Sequence, residues 1–154
     1  MYTIQLNNNN AIGIDGHLIG NGISPNFIYS KKKKNWLTDE LVVDLDNNKN
    51  IIFLEYYPLG LSALKYNGYA LLSKSLRSDI KELCKYSYCY VSDSTYYFPM
   101  INILIWTNKG EQTQGYSVGI YKYGYYDECV SANEREIINN KSQYKIGEII
   151  RQIN

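Results

Sequence analysis

The stretch from Leu41 to Tyr57 constrains the fold more than any other part of the chain. Leu41-Val42-Val43-Asp44-Leu45 and Ile51-Ile52-Phe53-Leu54-Glu55-Tyr56-Tyr57 are β-branched and aromatic, and the five residues between them, Asp46-Asn47-Asn48-Lys49-Asn50, are polar and tolerate left-handed backbone. Two such runs about a short polar link predict a β-hairpin. The same signal recurs downstream. Tyr86 to Val91, Tyr96 to Phe98, Ile101 to Trp106 and Tyr116 to Tyr123 are apolar or aromatic runs, and Ser92 to Thr95 and Asn108-Lys109-Gly110 supply turns, so an antiparallel meander follows. In its last strand Tyr116, Val118 and Ile120 share one face, while Ser117, Tyr121 and Tyr123 share the other. The first forty residues alternate short extended pieces (Tyr2 to Leu6, Ala11 to Ile14) with Asn7 to Asn10 and Asp15-Gly16, which predicts short strands joined by tight turns.

Helical periodicity is confined to two places. Leu72, Leu76, Ile80 and Leu83 fall on one face of a helix expected over Ser73 to Lys85, with Ser73 or Ser75 as its cap and Lys74, Arg77, Asp79, Lys81, Glu82 and Lys85 on its solvated face. Near the end, Ser131-Ala132-Asn133-Glu134 has the capping-box pattern, and Ile146, Ile149, Ile150 and Ile153 form an amphipathic piece. The chain of 154 residues suits one globular domain, 1–154, with residues 1–40 as an Asn/Gly-rich part of it. The expected class is α+β: an antiparallel sheet of six or more strands, built of meander and hairpins, packed by one amphipathic helix and by short C-terminal helices.

Most reactive chemistry lacks the residues it needs. His17 is the single histidine, which leaves no histidine cluster for a metal, and its place in Gly13-Ile14-Asp15-Gly16-His17 is that of a turn residue. Cys84, Cys89 and Cys129 are odd in number and have no CxxC spacing, so reduced, partly buried thiols are expected. The glycines Gly13, Gly16, Gly20 and Gly22 form neither a dinucleotide fingerprint nor a phosphate loop. Asp44, Asp46 and Glu55 flank the hairpin and are expected at a solvated edge. Accordingly no catalytic, cofactor-binding or metal-binding residue is assigned. The formal net charge of +1 announces no strongly charged partner. No basic leader follows Met1 and no apolar run approaches the ~20 residues of a membrane span, so a cytoplasmic location without membrane attachment is expected.

What remains is aromatic. The chain has 17 tyrosines. Tyr86, Tyr88 and Tyr90 alternate along one predicted strand. Tyr121, Tyr123 and Tyr125 alternate near another, followed at once by Tyr126, Asp127 and Glu128. Where the two strands lie close, these nine residues would merge into an aromatic patch with an acidic edge, a candidate partner-binding surface. Packing of the same tyrosines beneath helices is the competing reading. A further candidate is the run Lys31 to Lys34 with Trp36, which would suit an RNA- or nucleotide-binding module by phosphate contact and base stacking.

At Tyr97-Phe98-Pro99, Ile103-Leu104-Ile105-Trp106 and the run from Val118 to Asp127, the chain resembles small bacterial immunity proteins of polymorphic-toxin and contact-dependent inhibition loci. The likeness runs roughly from Asp44 to Glu128 and takes in the hairpin and the helix from Ser73. Thr107 stands where a basic residue often follows the tryptophan. The resemblance implies a noncatalytic cytoplasmic inhibitor that needs no cofactor and binds a cognate toxin domain tightly.

Overall fold

The computed structural model describes residues 2–38, 40–56, 63–92, 94–107 and 115–125. In chain order, β1 (Tyr2–Asn7), β2 (Asn10–Ile14), β3 (His17–Leu18), β4 (Ile28–Ser30), β5 (Asn35–Leu37), β6 (Leu41–Leu45), β7 (Ile51–Tyr56), β8 (Leu64–Tyr66) and β9 (Tyr69–Leu71) precede a helix. The helix α1 (Leu76–Leu83) is followed by β10 (Tyr90–Ser92), β11 (Thr95–Phe98), β12 (Ile103–Thr107) and β13 (Tyr116–Tyr121).

The hairpin expected around Asp46 is present as β6 and β7, with Val43 opposite Leu54. Its link is held by one side chain: Asp46 Oδ1 accepts from the backbone N–H groups of Asn48 and Asn50, both at 2.9 Å. Lys49 takes the left-handed conformation there, with φ of 62°. The downstream meander is also present, β10 to β13 pairing in sequence and antiparallel. It does not stand alone. β13 pairs with β7, so meander and hairpin fuse into one sheet of eight strands, ordered β10-β11-β12-β13-β7-β6-β5-β4.

The expectation of one sheet falls short, because the early strands divide between two. β4 and β5 extend the large sheet, whereas β1, β2 and β3 join β8 and β9 in a five-stranded sheet, ordered β3-β2-β1-β8-β9. The pairing of β1 with β8 is parallel, a long-range contact that no local turn signal announces. Left-handed residue pairs make the tight turns: Asp15-Gly16 between β2 and β3, and Asn67-Gly68 between β8 and β9.

One continuous core holds side chains from both sheets and the helix. Ile4, Ile14, Leu64 and Tyr66 come from the smaller sheet, Leu54, Phe98, Ile105 and Ile120 from the larger, and Ile80 and Leu83 from α1. All are buried.

The helix begins later than its apolar spacing predicts. Ser75 caps it, accepting from the Ser78 N–H at 3.1 Å, and Leu72 lies outside it in a left-handed turn with φ of 64°. Asp79, expected in water, is fully buried. The turn explains the inversion: the buried Leu72 N–H needs an acceptor, and Asp79 Oδ2 supplies it at 2.8 Å while also accepting from the Tyr116 hydroxyl at 2.7 Å. Burial pushes the Asp79 carboxyl up from 3.8 to about 6, against the lowering effect of these two hydrogen bonds.

The strand expected from Tyr86 begins only at Tyr90. The carbonyl of Leu83, at the end of α1, accepts from the N–H groups of Tyr86 and Ser87, which keeps the chain turning past the helix. Ser87 then accepts from the Met100 N–H and donates to the Tyr88 carbonyl, so extended pairing starts two residues later. Cys84 and Cys89, on either side of this turn, are free thiols; Cys129 and the expected C-terminal helices lie outside the described residues. Among the described residues no helix is long and apolar enough to cross a membrane.

Candidate functional site

The larger sheet is apolar on both faces. Its inner face supplies the common core, and its outer face carries a second cluster made of Phe53, Tyr90, Tyr97, Leu104 and Tyr121, with Tyr88, Trp106 and Tyr125 packed against it. Strand register assembles this cluster from distant parts of the chain. Val42 lies opposite Glu55, Glu55 opposite Gly119, Gly119 opposite Leu104, Leu104 opposite Tyr97, and Tyr97 opposite Tyr90, forming one row across six strands. A second row sets Asp44, Phe53 and Tyr121 side by side.

Gly119 is the hinge of this packing. A Cβ there would stand 2.9 Å from the Phe53 ring and 3.2 Å from Leu104, so only glycine lets the ring lie across β13. After β13 the chain turns, and Tyr125 returns over the sheet to stack on Phe53, with centroids 5.1 Å apart and ring planes at 14°. Its centroid is 6.1 Å from that of Tyr121.

A carboxylate sits within the apolar row. Glu55 is 7% exposed, and Ser117 on the neighbouring strand donates its hydroxyl to Glu55 Oε2 at 2.5 Å. Phe53, Tyr97, Leu104, Trp106 and Tyr125 surround it and leave a groove of about 220 Å³, with Thr95 at the lip. Nearby, burial raises the Asp44 carboxyl, partly offset by a long hydrogen bond from the Tyr125 hydroxyl at 3.4 Å. The expectation of a solvated edge for these acids is therefore corrected. β6 and β7 are interior strands, so Glu55 is buried and Asp44 half-buried on the outer apolar face, and Asp46 instead caps the hairpin link.

Among the described residues, the tyrosines singled out from sequence divide among three environments. Tyr86 turns to the common core, its ring 5.3 Å from Tyr66 and its hydroxyl accepting from Asn67 at 3.1 Å. Tyr88, Tyr90, Tyr121 and Tyr125 meet on the outer face, although β10 and β13 are separated by β11 and β12, whose Tyr97 and Leu104 bridge them. Within that group Tyr121 is buried and Tyr125 half-buried. Tyr123 stands apart at 84% exposure, on the rim of a polar hollow of about 360 Å³ that also involves Asp46, Asn47 and Lys122. Tyr126, Asp127 and Glu128 lie outside the described residues.

Sequence reasoning missed Phe53, Glu55, Tyr97, Leu104 and Trp106 as members of one site. The signal was present in the alternation of β13, whose Ser117 and Tyr121 face outward, but only the register of four pairings carries that face across the sheet. Lys31 to Lys34 form the turn between β4 and β5 and are all exposed, with Tyr29 half-exposed and its ring 5.3 Å from Trp36. His17 sits edge-on to Phe27, centroids 5.1 Å apart, in a structural contact. Among the described residues no three His, Cys, Asp or Glu side chains gather where they would hold a metal ion. Comparison with protein-family models, with curated proteins and with solved structures finds no match to this chain.

Proposed function

We propose that the chain is a noncatalytic protein-binding module of the cytoplasm, an immunity protein that neutralises a cognate bacterial toxin domain through the outer face of its eight-stranded sheet. The observation that carries this reading is the second cluster: a sheet that already has a core on one face places Trp106, Tyr97 and Tyr125 around a groove on the other. Aromatic anchors in a desolvated setting are the residues that dominate interface energies, and a sheet holds them in fixed positions with little entropy left to lose on association. Asp44 and Glu55 add charge that would select among partners. Inhibition of this kind requires a rigid surface, and neither a nucleophile nor a cofactor.

The test is coexpression of the full chain with a tagged product of the gene immediately upstream. A stoichiometric complex that restores growth supports the immunity role. Toxicity that this chain leaves unrelieved, or an upstream product that is neither toxic nor bound, overturns it.

A second reading is favoured by one observation, the lysine-tipped β4–β5 hairpin with exposed Tyr29 beside Trp36. Those residues would suit single-stranded RNA, contacting phosphate through the lysines and stacking bases on the rings. Binding to mixed RNA that falls steeply with salt and is lost on replacing Lys31 to Lys34 by glutamine would favour it.

A further inference from the structure

The link between α1 and β10 runs from residue 84 to residue 89, and its first and last residues are Cys84 and Cys89. Cys84 ends the helix, donating its N–H to the Ile80 carbonyl at 2.9 Å. The Leu83 carbonyl then accepts from Tyr86 at 3.0 Å and from Ser87 at 3.2 Å, which folds the link back. Buried Ser87 holds the second half, accepting from the Met100 N–H at 3.1 Å and donating to the Tyr88 carbonyl at 2.7 Å. This turn returns Cys89 to Cys84, and the two thiols hydrogen-bond to each other. Both are free.

The two thiols differ in access. Cys89 is fully buried in the common core, whereas Cys84 is half-buried and packs against the margin of that core. A small molecule therefore needs to reach only Cys84, and Cys89 needs to reach only its neighbour. The two also differ in readiness to ionise. The hydrogen bond from Cys89 holds the Cys84 thiol below its ordinary value, against the opposing effect of burial, while the same bond and burial push the Cys89 thiol up. The thiolate is the attacking form, so the accessible cysteine is also the nucleophile. Among the described residues no third ligand joins the pair to hold a metal ion, and two adjoining thiols are the minimal equipment for disulfide exchange.

We propose that Cys84 and Cys89 form a reversible redox modification site, a dithiol that closes to a disulfide by exchange with a low-molecular-weight disulfide such as glutathione disulfide. The Cys84 thiolate attacks one sulfur of the external disulfide, whose S–S bond breaks and releases the first thiolate, leaving a mixed disulfide on Cys84. Cys89 then gives up its proton and attacks the Cys84 sulfur, and the second external thiolate leaves. The two released thiolates take up the two protons that the cysteines have lost. Two protein thiols are thus oxidised and one external disulfide is reduced to two thiols. The new bond ties the end of α1 to the residue before β10, and excess external thiol reverses it. This chemistry is independent of what covers the outer face of the sheet.

The test equilibrates the full native chain in buffers of rising glutathione disulfide to glutathione ratio, quenches with acid, alkylates the remaining thiols and maps the products by mass spectrometry. Trypsin cuts after Lys81, Lys85, Lys109, Lys122 and Arg135, which places Cys84, Cys89 and Cys129 on three separate peptides. A Cys84–Cys89 bond is thus read directly as a linked pair. The linked pair is expected to replace the alkylated forms, with equal loss of alkylation at both positions and full recovery in dithiothreitol. The mixed disulfide on Cys84 should stay at least about tenfold less abundant than the linked pair, because the neighbouring thiol resolves it intramolecularly. Cys89→Ser should make that mixed disulfide the end product, and Cys84→Ser should leave Cys89 unmodified. Near-ultraviolet circular dichroism follows the fold throughout. Thiols that both stay alkylatable in glutathione disulfide alone, glutathione held on Cys84 without closure, links to Cys129 as abundant as the Cys84–Cys89 link, or closure only with loss of the folded signal would each overturn the proposal. The native chain decides this by itself even where a serine variant fails to fold.

Discussion

The two faces of the eight-stranded sheet are built from the same strands and are chemically unlike. β13 shows the contrast within six residues: Tyr116, Val118 and Ile120 enter the common core, while Ser117, Gly119 and Tyr121 face outward. The inner face is mainly aliphatic and meets a second sheet and a helix, as the interior of a sandwich does. The outer face is aromatic, contains Glu55, and is grooved. Aliphatic side chains interdigitate and fill volume, which suits folding. Large stiff rings about a carboxylate leave a shaped surface, which suits recognition. One strand can therefore serve both roles, because alternation keeps them on opposite sides.

The largest expected effect lies on the inner face. Ile105→Ala removes a fully buried side chain between the sheets and should cost about 2–5 kcal/mol of stability in urea unfolding. A loss below about 1 kcal/mol would mean that the inner face is not the packed core.

The next prediction concerns Asp79, the one fully buried carboxylate among the described residues. Asp79 binds its proton more tightly in the folded chain, with a value of about 6 against 3.8. Folded chains therefore hold more protons than unfolded ones across that interval, and stability falls as pH rises through it, by up to about 3 kcal/mol. Asp79→Asn removes the titration while retaining an acceptor for Leu72 or Tyr116. The variant should gain on the wild type between about pH 4 and pH 7 in unfolding measurements at each pH. A constant difference across that range would show that Asp79 is charged without penalty.

Much of the inner architecture was legible in the sequence and much of the outer was not, for a physical reason. The β6–β7 hairpin is specified locally by β-branched runs and by Asp46, whose carboxylate holds its own link. The meander follows from the same local rules. In contrast, the outer cluster depends on β13 pairing with β7 across an intervening length of chain, so that Glu55 meets Ser117 and Gly119. Nothing near Glu55 in sequence announces Ser117. The parallel pairing of β1 with β8 was hidden in the same way. Asp79 misled because its spacing is that of a solvated helix position, and only the left-handed turn at Leu72 reveals the N–H that it serves.

A smaller effect sharpens the contrast from the outer side. Gly119→Ala places a Cβ 2.9 Å from the Phe53 ring, which must tilt away from the sheet. Stability should fall by about 1 kcal/mol, less than for Ile105→Ala, because the Phe53 ring borders the groove and has space to shift, whereas loss of the Ile105 side chain leaves a cavity in the core. A cost equal to that of Ile105→Ala would show the two faces to be equally rigid.

The proposed function turns most directly on whether a partner covers the outer face. Hydroxyl-radical footprinting of the chain, alone and in complex with the partner that the coexpression experiment captures, reads the side chains concerned. Trp106 and Tyr125, both half-buried in the free chain, should lose reactivity in the complex, while exposed Tyr29 on the far hairpin keeps its own. Protection of Tyr29 and the lysine hairpin with Trp106 and Tyr125 unchanged would contradict the account and place the binding surface at the opposite end of the sheet.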